Sequence, residues 1–248
     1  MNSKIIFFIC SLFLYMSSLA QSEIYELRVY DMKFGVSEAT LHDYFKDALI
    51  PALNREGLNK VGAFEESGES LPKKIYLLIP YESMQAYAEI NDKIEQDGKF
   101  LSDSEAFSNL PVDKIPFERY ESRLIRSTWG FPNLVKPDDA LNQFELRIYE
   151  SSNEDALRRK LKMFNENEFE IFENVGLHTV FFGKNISGGQ MPSLTYMLAF
   201  KDKAEHEKAW AGFGKNPEWK RISKLDEYTN TVSDITRVFL KTLPYSQL

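Results

Sequence analysis

The 248 residues hold one cysteine, Cys10, and three histidines, His42, His178 and His206. One cysteine excludes an intramolecular disulfide and a cysteine-built metal centre, and a thiolate nucleophile is excluded too if the leader that carries Cys10 is cleaved. No two histidines stand at ligand spacing, and catalytic zinc takes three protein ligands, so no metal is expected. No cofactor is expected either. The nucleophile elbow, the phosphate-cradling glycine loop and the H-E-x-x-H helix are missing as well, which sets aside three common enzyme classes. Basic charge is in short supply: 30 Lys and Arg stand against 37 Asp and Glu, for a net charge of −7. Nucleic acids and anionic membranes are bound through clustered cations, so neither is an expected partner.

Long apolar runs are absent except at the start. There Lys4 precedes an apolar run over 5–15 and a small-residue exit at Ser18-Leu19-Ala20. This pattern reads as a secretory signal over 1–20, cleaved before Gln21, because the run falls short of the ~20 residues a membrane span requires. The chain is therefore expected to be exported, secreted or periplasmic, with no membrane span after cleavage. Cleavage removes Cys10.

What the rest contains is an internal repeat. Ile24-Tyr25-Glu26-Leu27-Arg28-Val29-Tyr30 returns as Gln143-Phe144-Glu145-Leu146-Arg147-Ile148-Tyr149. Gly57-Leu58 and Gly176-Leu177 keep the same spacing, and Tyr76-Leu77-Leu78 meets Tyr196-Met197-Leu198 one inserted residue later. Each copy reads strand, helix, strand, strand, helix, strand. Alternation over 24–30 gives the first strand. Leu41, Tyr44, Phe45, Ala48, Leu49, Ala52 and Leu53 give a helix with one buried stripe, which Pro51 should kink and Gly57 end. A hairpin over 58–65 and 74–80, a helix from Ser83 and a strand over 117–127 complete the copy. In the second, Asn153 and its neighbours cap a helix, 177–182 and 194–200 form the hairpin, 204–225 is helical and 232–240 closes. The expected organisation is a first repeat over 21–129, a linker over 130–142 and a second repeat over 143–248. The fold class is α+β, two tandem ferredoxin-like βαββαβ units.

Such a unit covers one sheet face with helices, so the two bare faces are expected to meet as an intramolecular dimeric α+β barrel. If Tyr25, Leu27 and Val29 pack on the helices, Glu26, Arg28 and Tyr30 point into the barrel, and Glu145, Arg147 and Tyr149 join them. These six, with His178 at a strand start, are the candidate ligand-binding residues. A Glu and an Arg two apart on a strand can also simply neutralise each other. As a site, each Arg would offer a planar fork to a carboxylate or enolate, with Glu as proton acceptor and Tyr as donor. His42 and His206 read as solvated, and Trp210, Phe213 and Trp219 as core. Asn185-Ile186-Ser187 fits a glycosylation acceptor.

The Y-E-L-R-x-Y opening at 25–30, its F-E-L-R-x-Y partner at 144–149, the Gly-Leu strand entries and Asn216-Pro217-Glu218-Trp219 resemble the NIPSNAP family. In the first copy only Ser104-Glu105-Ala106-Phe107 stands where the second has Pro-Glu-Trp. The resemblance implies a dimeric α+β barrel, a superfamily that includes cofactor-free oxygenases, haem enzymes and proteins without known catalysis. It implies no settled reaction. Two readings follow: a small-molecule-binding or interaction module, or a cofactor-independent oxygenase or isomerase acting on a small acidic or carbonyl substrate inside the barrel. A filled interior favours the first and an open polar cavity the second. The expected partners are a small-molecule ligand and another copy of the chain.

Overall fold

The computed structural model describes residues 22–68 and 71–248. The signal-peptide reading, and Cys10 with it, lies outside the described residues. The first repeat runs β1 (Ile24–Met32), α1 (Ala39–Asp43), a π-helical turn (Tyr44–Leu49), α2 (Ile50–Arg55), β2 (Gly62–Glu66), β3 (Lys74–Tyr81), α3 (Met84–Gln96), α4 (Gly98–Asp103), α5 (Glu105–Ser108) and β4 (Phe117–Ser127). The second runs β5 (Gln143–Glu150), α6 (Glu154–Met163), a π-helical turn (Phe164–Glu168), α7 (Phe169–Val175), β6 (His178–Ser187), β7 (Ser193–Phe200), α8 (Lys203–Lys215), α9 (Pro217–Ile222) and β8 (Asp234–Thr242).

Local chemistry sets these boundaries. Ser83 and Asn153 cap α3 and α6 by accepting the N–H of Ala86 and Ala156, which satisfies a donor the helix cannot. Gly57 and Gly176 end the first helical stretch of each copy at φ 90° and 82°, where a side chain would be strained. The π turns fall at the same place in both repeats, and the second has no proline there, so Pro51 does not cause the widening. The stretch expected as one helix over 204–225 is two. Asn216-Pro217 breaks it, and the Asn216 side chain accepts the N–H groups of Glu218 and Trp219 to start α9.

The eight strands close a barrel in the order β1-β3-β2-β8-β5-β7-β6-β4, with antiparallel pairing throughout. Each repeat contributes four adjacent strands in the same order, and the repeats join at two seams, β2 with β8 and β4 with β6. The two-repeat α+β barrel expected from the sequence is the architecture found.

Three apolar layers hold it. Helices cover the first sheet through Ile24, Tyr30, Met32, Leu41, Phe45 and Ile79, and the second through Tyr149, Leu157, Phe164, Phe172, Phe182 and Tyr196. The barrel interior is filled by Tyr25, Leu27, Phe64, Leu78, Phe144, Leu146, Phe181 and Met197 among others. The strand alternation is as expected, but its faces are exchanged. Tyr25, Leu27 and Val29 point into the barrel, and Glu26, Arg28 and Tyr30 lie beneath the helices, as do Glu145, Arg147 and Tyr149. The physical reason is that the interior receives side chains from all eight strands, most of them apolar. Each large apolar group buried there stabilises by about 1.5–3 kcal/mol, and a carboxylate would need a partner that neighbouring apolar residues cannot supply.

Asn185 also departs from its sequence reading. It is fully buried, donates to Ser193 Oγ at 2.5 Å and accepts from Thr195 Oγ1 at 2.8 Å, so it is closed to glycosylation in the folded chain.

Candidate functional site

The six strand residues form two clusters, one between sheet and helices in each repeat. In the first, Glu26 is 3% exposed, and the Arg28 fork donates to both its carboxylate oxygens, Nε to Oε1 at 2.8 Å and Nη2 to Oε2 at 2.9 Å. Ser122 Oγ on β4 donates to Oε1 at 2.8 Å and the Tyr81 hydroxyl on β3 to Oε2 at 3.3 Å. Every partner sits on the sheet. Burial works against the Arg28 charge, but Glu26 outweighs it and holds the guanidinium above its usual range. Tyr30 stacks on Tyr120 at 5.0 Å, and burial raises its hydroxyl.

The second cluster is built differently. Glu145, 1% exposed, accepts one bond from Arg147 Nη1 at 3.1 Å on Oε1. Its Oε2 is turned to α8, where Trp210 Nε1 donates at 2.9 Å and His206 Nε2 lies at 3.1 Å. The Arg147 guanidinium rests 4.2 Å from the Trp210 ring centre and 5.4 Å from that of Tyr149, and its Nε has no hydrogen-bond partner among the described residues. Burial opposes the Arg147 charge; Tyr196, Tyr149 and Glu145 more than offset it. Below, Tyr196 donates to Tyr149 at 2.9 Å, and burial raises both hydroxyls.

A buried ion pair extends this layer across the π turn. Lys160 on α6 contacts Glu168, both almost fully buried, and its ammonium lies 4.6 Å from the Phe164 ring centre and 5.6 Å from that of Trp219. Burial pushes the Glu168 carboxyl above its ordinary range against the pull of Lys160. The Pro-Glu-Trp element thus helps to enclose the cation.

Beside this cluster opens a cleft of about 340 Å³ lined by Phe144, Phe200, Lys203, His206, Glu207 and Phe239. The His206 ring, 21% exposed, is edged by Phe200 at 4.8 Å and Phe239 at 5.3 Å, so a carboxylate-held imidazole forms part of an apolar wall. His206 is therefore not the solvated residue that its charged neighbours suggested. Glu205-His206-Glu207-Lys208 masks it, and the available signal was the four-residue step from His206 to Trp210, which puts both on one helical face. His42 is tied too, with Nδ1 2.7 Å from the Tyr245 hydroxyl. His178, by contrast, is exposed at the start of β6 in a shallow groove with Val135, Lys136 and Pro137 of the linker, and none of the six strand residues lines that groove. The structure does not bring it to the cluster. No group of three or more His, Cys, Asp or Glu side chains among the described residues could hold a metal ion.

No curated protein matches the chain. Among solved structures it is similar to a proposed monooxygenase from Fusobacterium nucleatum, at 12% identity and TM-score 0.54, covering 90% of this chain and 93% of that one. A proposed monooxygenase from Lactobacillus acidophilus is similar at 10% identity and TM-score 0.52, over 89% and 94% of the two chains. At these identities the likeness shows the shared fold. The NIPSNAP family model matches twice, over residues 25–118 and 144–247, which places one match on each repeat. The chain belongs to the NIPSNAP family.

Proposed function

We propose that this chain is an exported small-molecule-binding protein whose ligand lies in the apolar cleft of the second repeat, against His206. The carrying observation is the cleft itself: apolar walls with an imidazole held in place by a buried carboxylate. Ligand sites are concave, mostly apolar and furnished with a few fixed polar groups, and this one suits an aromatic or aliphatic body bearing a carbonyl or hydroxyl. In this reading Glu145 and Arg147 hold the site in shape, and Glu26 and Arg28 serve the fold. Titration with acetophenone, followed by isothermal calorimetry, should saturate in the wild type and weaken by about tenfold in His206→Ala; equal binding by both proteins would remove His206 from the site.

The second reading is a cofactor-independent oxygenase or isomerase, favoured by the Glu145–His206 contact, because an imidazole oriented by a carboxylate is suited to take a proton from a carbonyl compound. Exchange of the acetophenone methyl protons for deuterium, faster with the wild type than with His206→Ala, would support it. A rate equal to that of buffer would reject it. Export rests on the composition of residues 1–20. Intact mass of the protein from the host envelope should begin at Gln21, and retention of Met1 there would contradict it.

A further inference from the structure

At one end of the barrel lies a cavity of about 170 Å³ lined by Leu27, Val29, Leu146, Ile148 and Val238 and, among polar residues, by Arg123, Glu66, Lys74, Glu121 and Thr236. Arg123 comes from β4, opposite Leu27 of β1, so strand alternation turns it into the barrel beside Ile125. It is 8% exposed. Nη2 donates to Gln190 Oε1 at 3.0 Å, and Nη1 has no hydrogen-bond partner among the described residues. A buried guanidinium with donors unmade is expensive, so this one calls for an explanation.

The nearby acids do not provide one. Glu150 accepts from Gln190 Nε2 at 2.8 Å, Glu66 accepts from the Tyr76 hydroxyl at 2.7 Å, and neither Glu121 nor Glu150 is within ion-pair distance of Arg123. Burial accordingly pulls the Arg123 guanidinium below its usual range. The fold does not require a cation there. The second repeat places Val238 opposite Leu146 where the first places Arg123 opposite Leu27, so an apolar residue fills the same barrel position.

The surrounding turn is shaped to hold the side chain. Gly188, at φ 120°, lies against the Arg123 stem, and a Cβ there would come 3.0 Å from Arg123 Cγ. Gln190 adopts φ 59°, uncommon for a residue with a side chain, and is bonded to Arg123, Glu150 and Thr236 at once. These contacts hold the Arg123 side chain at the wall of the cavity.

We propose that the open end of the barrel binds a small monocarboxylate, its charged group on the Arg123 guanidinium and its apolar body against Leu27, Val29, Leu146, Ile148 and Val238. A cavity of ~150 Å³ admits one benzene ring, so the occupant is of the size of benzoate. A planar carboxylate matches the guanidinium edge.

Isothermal titration of the full chain with benzoate at neutral pH tests this, with benzamide as the uncharged analogue of the same shape. Benzoate should bind, and benzamide about tenfold or more weakly. Arg123→Gln should lower benzoate affinity by about tenfold or more, whereas Arg237→Gln, which removes an exposed cation from the outer face of β8, should leave it unchanged. Val238→Phe fills the cavity without altering charge and should also abolish binding, which keeps the test decisive if Arg123→Gln does not fold. The proposal is overturned if wild-type protein does not bind benzoate at millimolar concentration, if benzamide binds equally well, or if Val238→Phe retains wild-type affinity.

Discussion

The two repeats place the same Glu-x-Arg-x-Tyr strand under the same arrangement of helices and use it differently. In the first, the sheet closes Glu26 with four hydrogen bonds from Arg28, Ser122 and Tyr81. In the second, the carboxylate bonds Arg147 once and reaches out to α8. Paired register locates the cause in two positions. Opposite Ile24 stands Tyr81, and opposite Gln143 stands Phe200, which has no hydroxyl to give. Opposite Arg28 stands Ser122, and opposite Arg147 stands Arg237, which is exposed. Deprived of sheet donors, Glu145 takes its partners from a helix, and that is how an imidazole comes to be fixed at the edge of a cleft.

The largest expected effects come from breaking the buried pairs. Arg28→Met leaves Glu26 without its charge partner and should lower stability by about 3–5 kcal/mol in chemical denaturation, while Glu26→Leu with Arg28→Met together should be nearly neutral. Lys160→Met should cost as much, with a distinctive pH profile. Burial already raises the folded-state Glu168 carboxyl above its unfolded value, so its contribution is fully present below the unfolded value and is lost as pH rises through the folded one. Without Lys160 that loss should grow, making the variant more stable at pH 5 than at pH 8 relative to the wild type.

Arg147→Met sharpens the comparison between repeats. Because Trp210 and His206 still hold Glu145, its cost should be smaller than that of Arg28→Met, about 1.5–3 kcal/mol. Equal losses would mean that the helix partners contribute nothing.

The smallest effect belongs to the seam where the repeats meet. Glu65 on β2 bonds Lys73 at 2.7 Å and Lys241 of β8 at 3.0 Å. Burial alone would raise the Glu65 carboxyl, but the two lysines prevail and hold it below its usual range. Its stabilisation is therefore present above the unfolded value and is lost as pH falls through the folded one. Glu65→Gln should cost under ~1 kcal/mol at neutral pH, because the lysines are partly exposed, and should flatten the acid limb of the stability profile.

The barrel was legible in the sequence because the repeat and the alternation of each strand are one-dimensional signals. Which face of β1 turned inward was not. Polarity suggested that Glu26 and Arg28 faced the space between sheets, but the decision is made by eight strands filling one interior, and no single strand carries that information. The Glu–Arg pairing survived the exchange of faces, since two residues apart means one side either way. His206 was hidden by its charged neighbours, whose exposure says nothing about a residue turned 100° around the helix. Arg123 was hidden for the opposite reason: its neighbours over 118–122 are exposed, and only pairing with Leu27 reveals that it enters the barrel.

The division of labour between the repeats is tested most directly by saturation-transfer NMR of acetophenone on three proteins: the wild type, Glu26→Leu with Arg28→Met, and Glu145→Leu with Arg147→Met. Both paired variants remove a buried charge pair together and should remain folded. Acetophenone should bind the wild type and the first-repeat variant alike and be lost from the second-repeat variant, in which the carboxylate that fixes His206 is gone. Loss from the first-repeat variant, or full binding by both, would contradict the assignment of the working site to the second repeat.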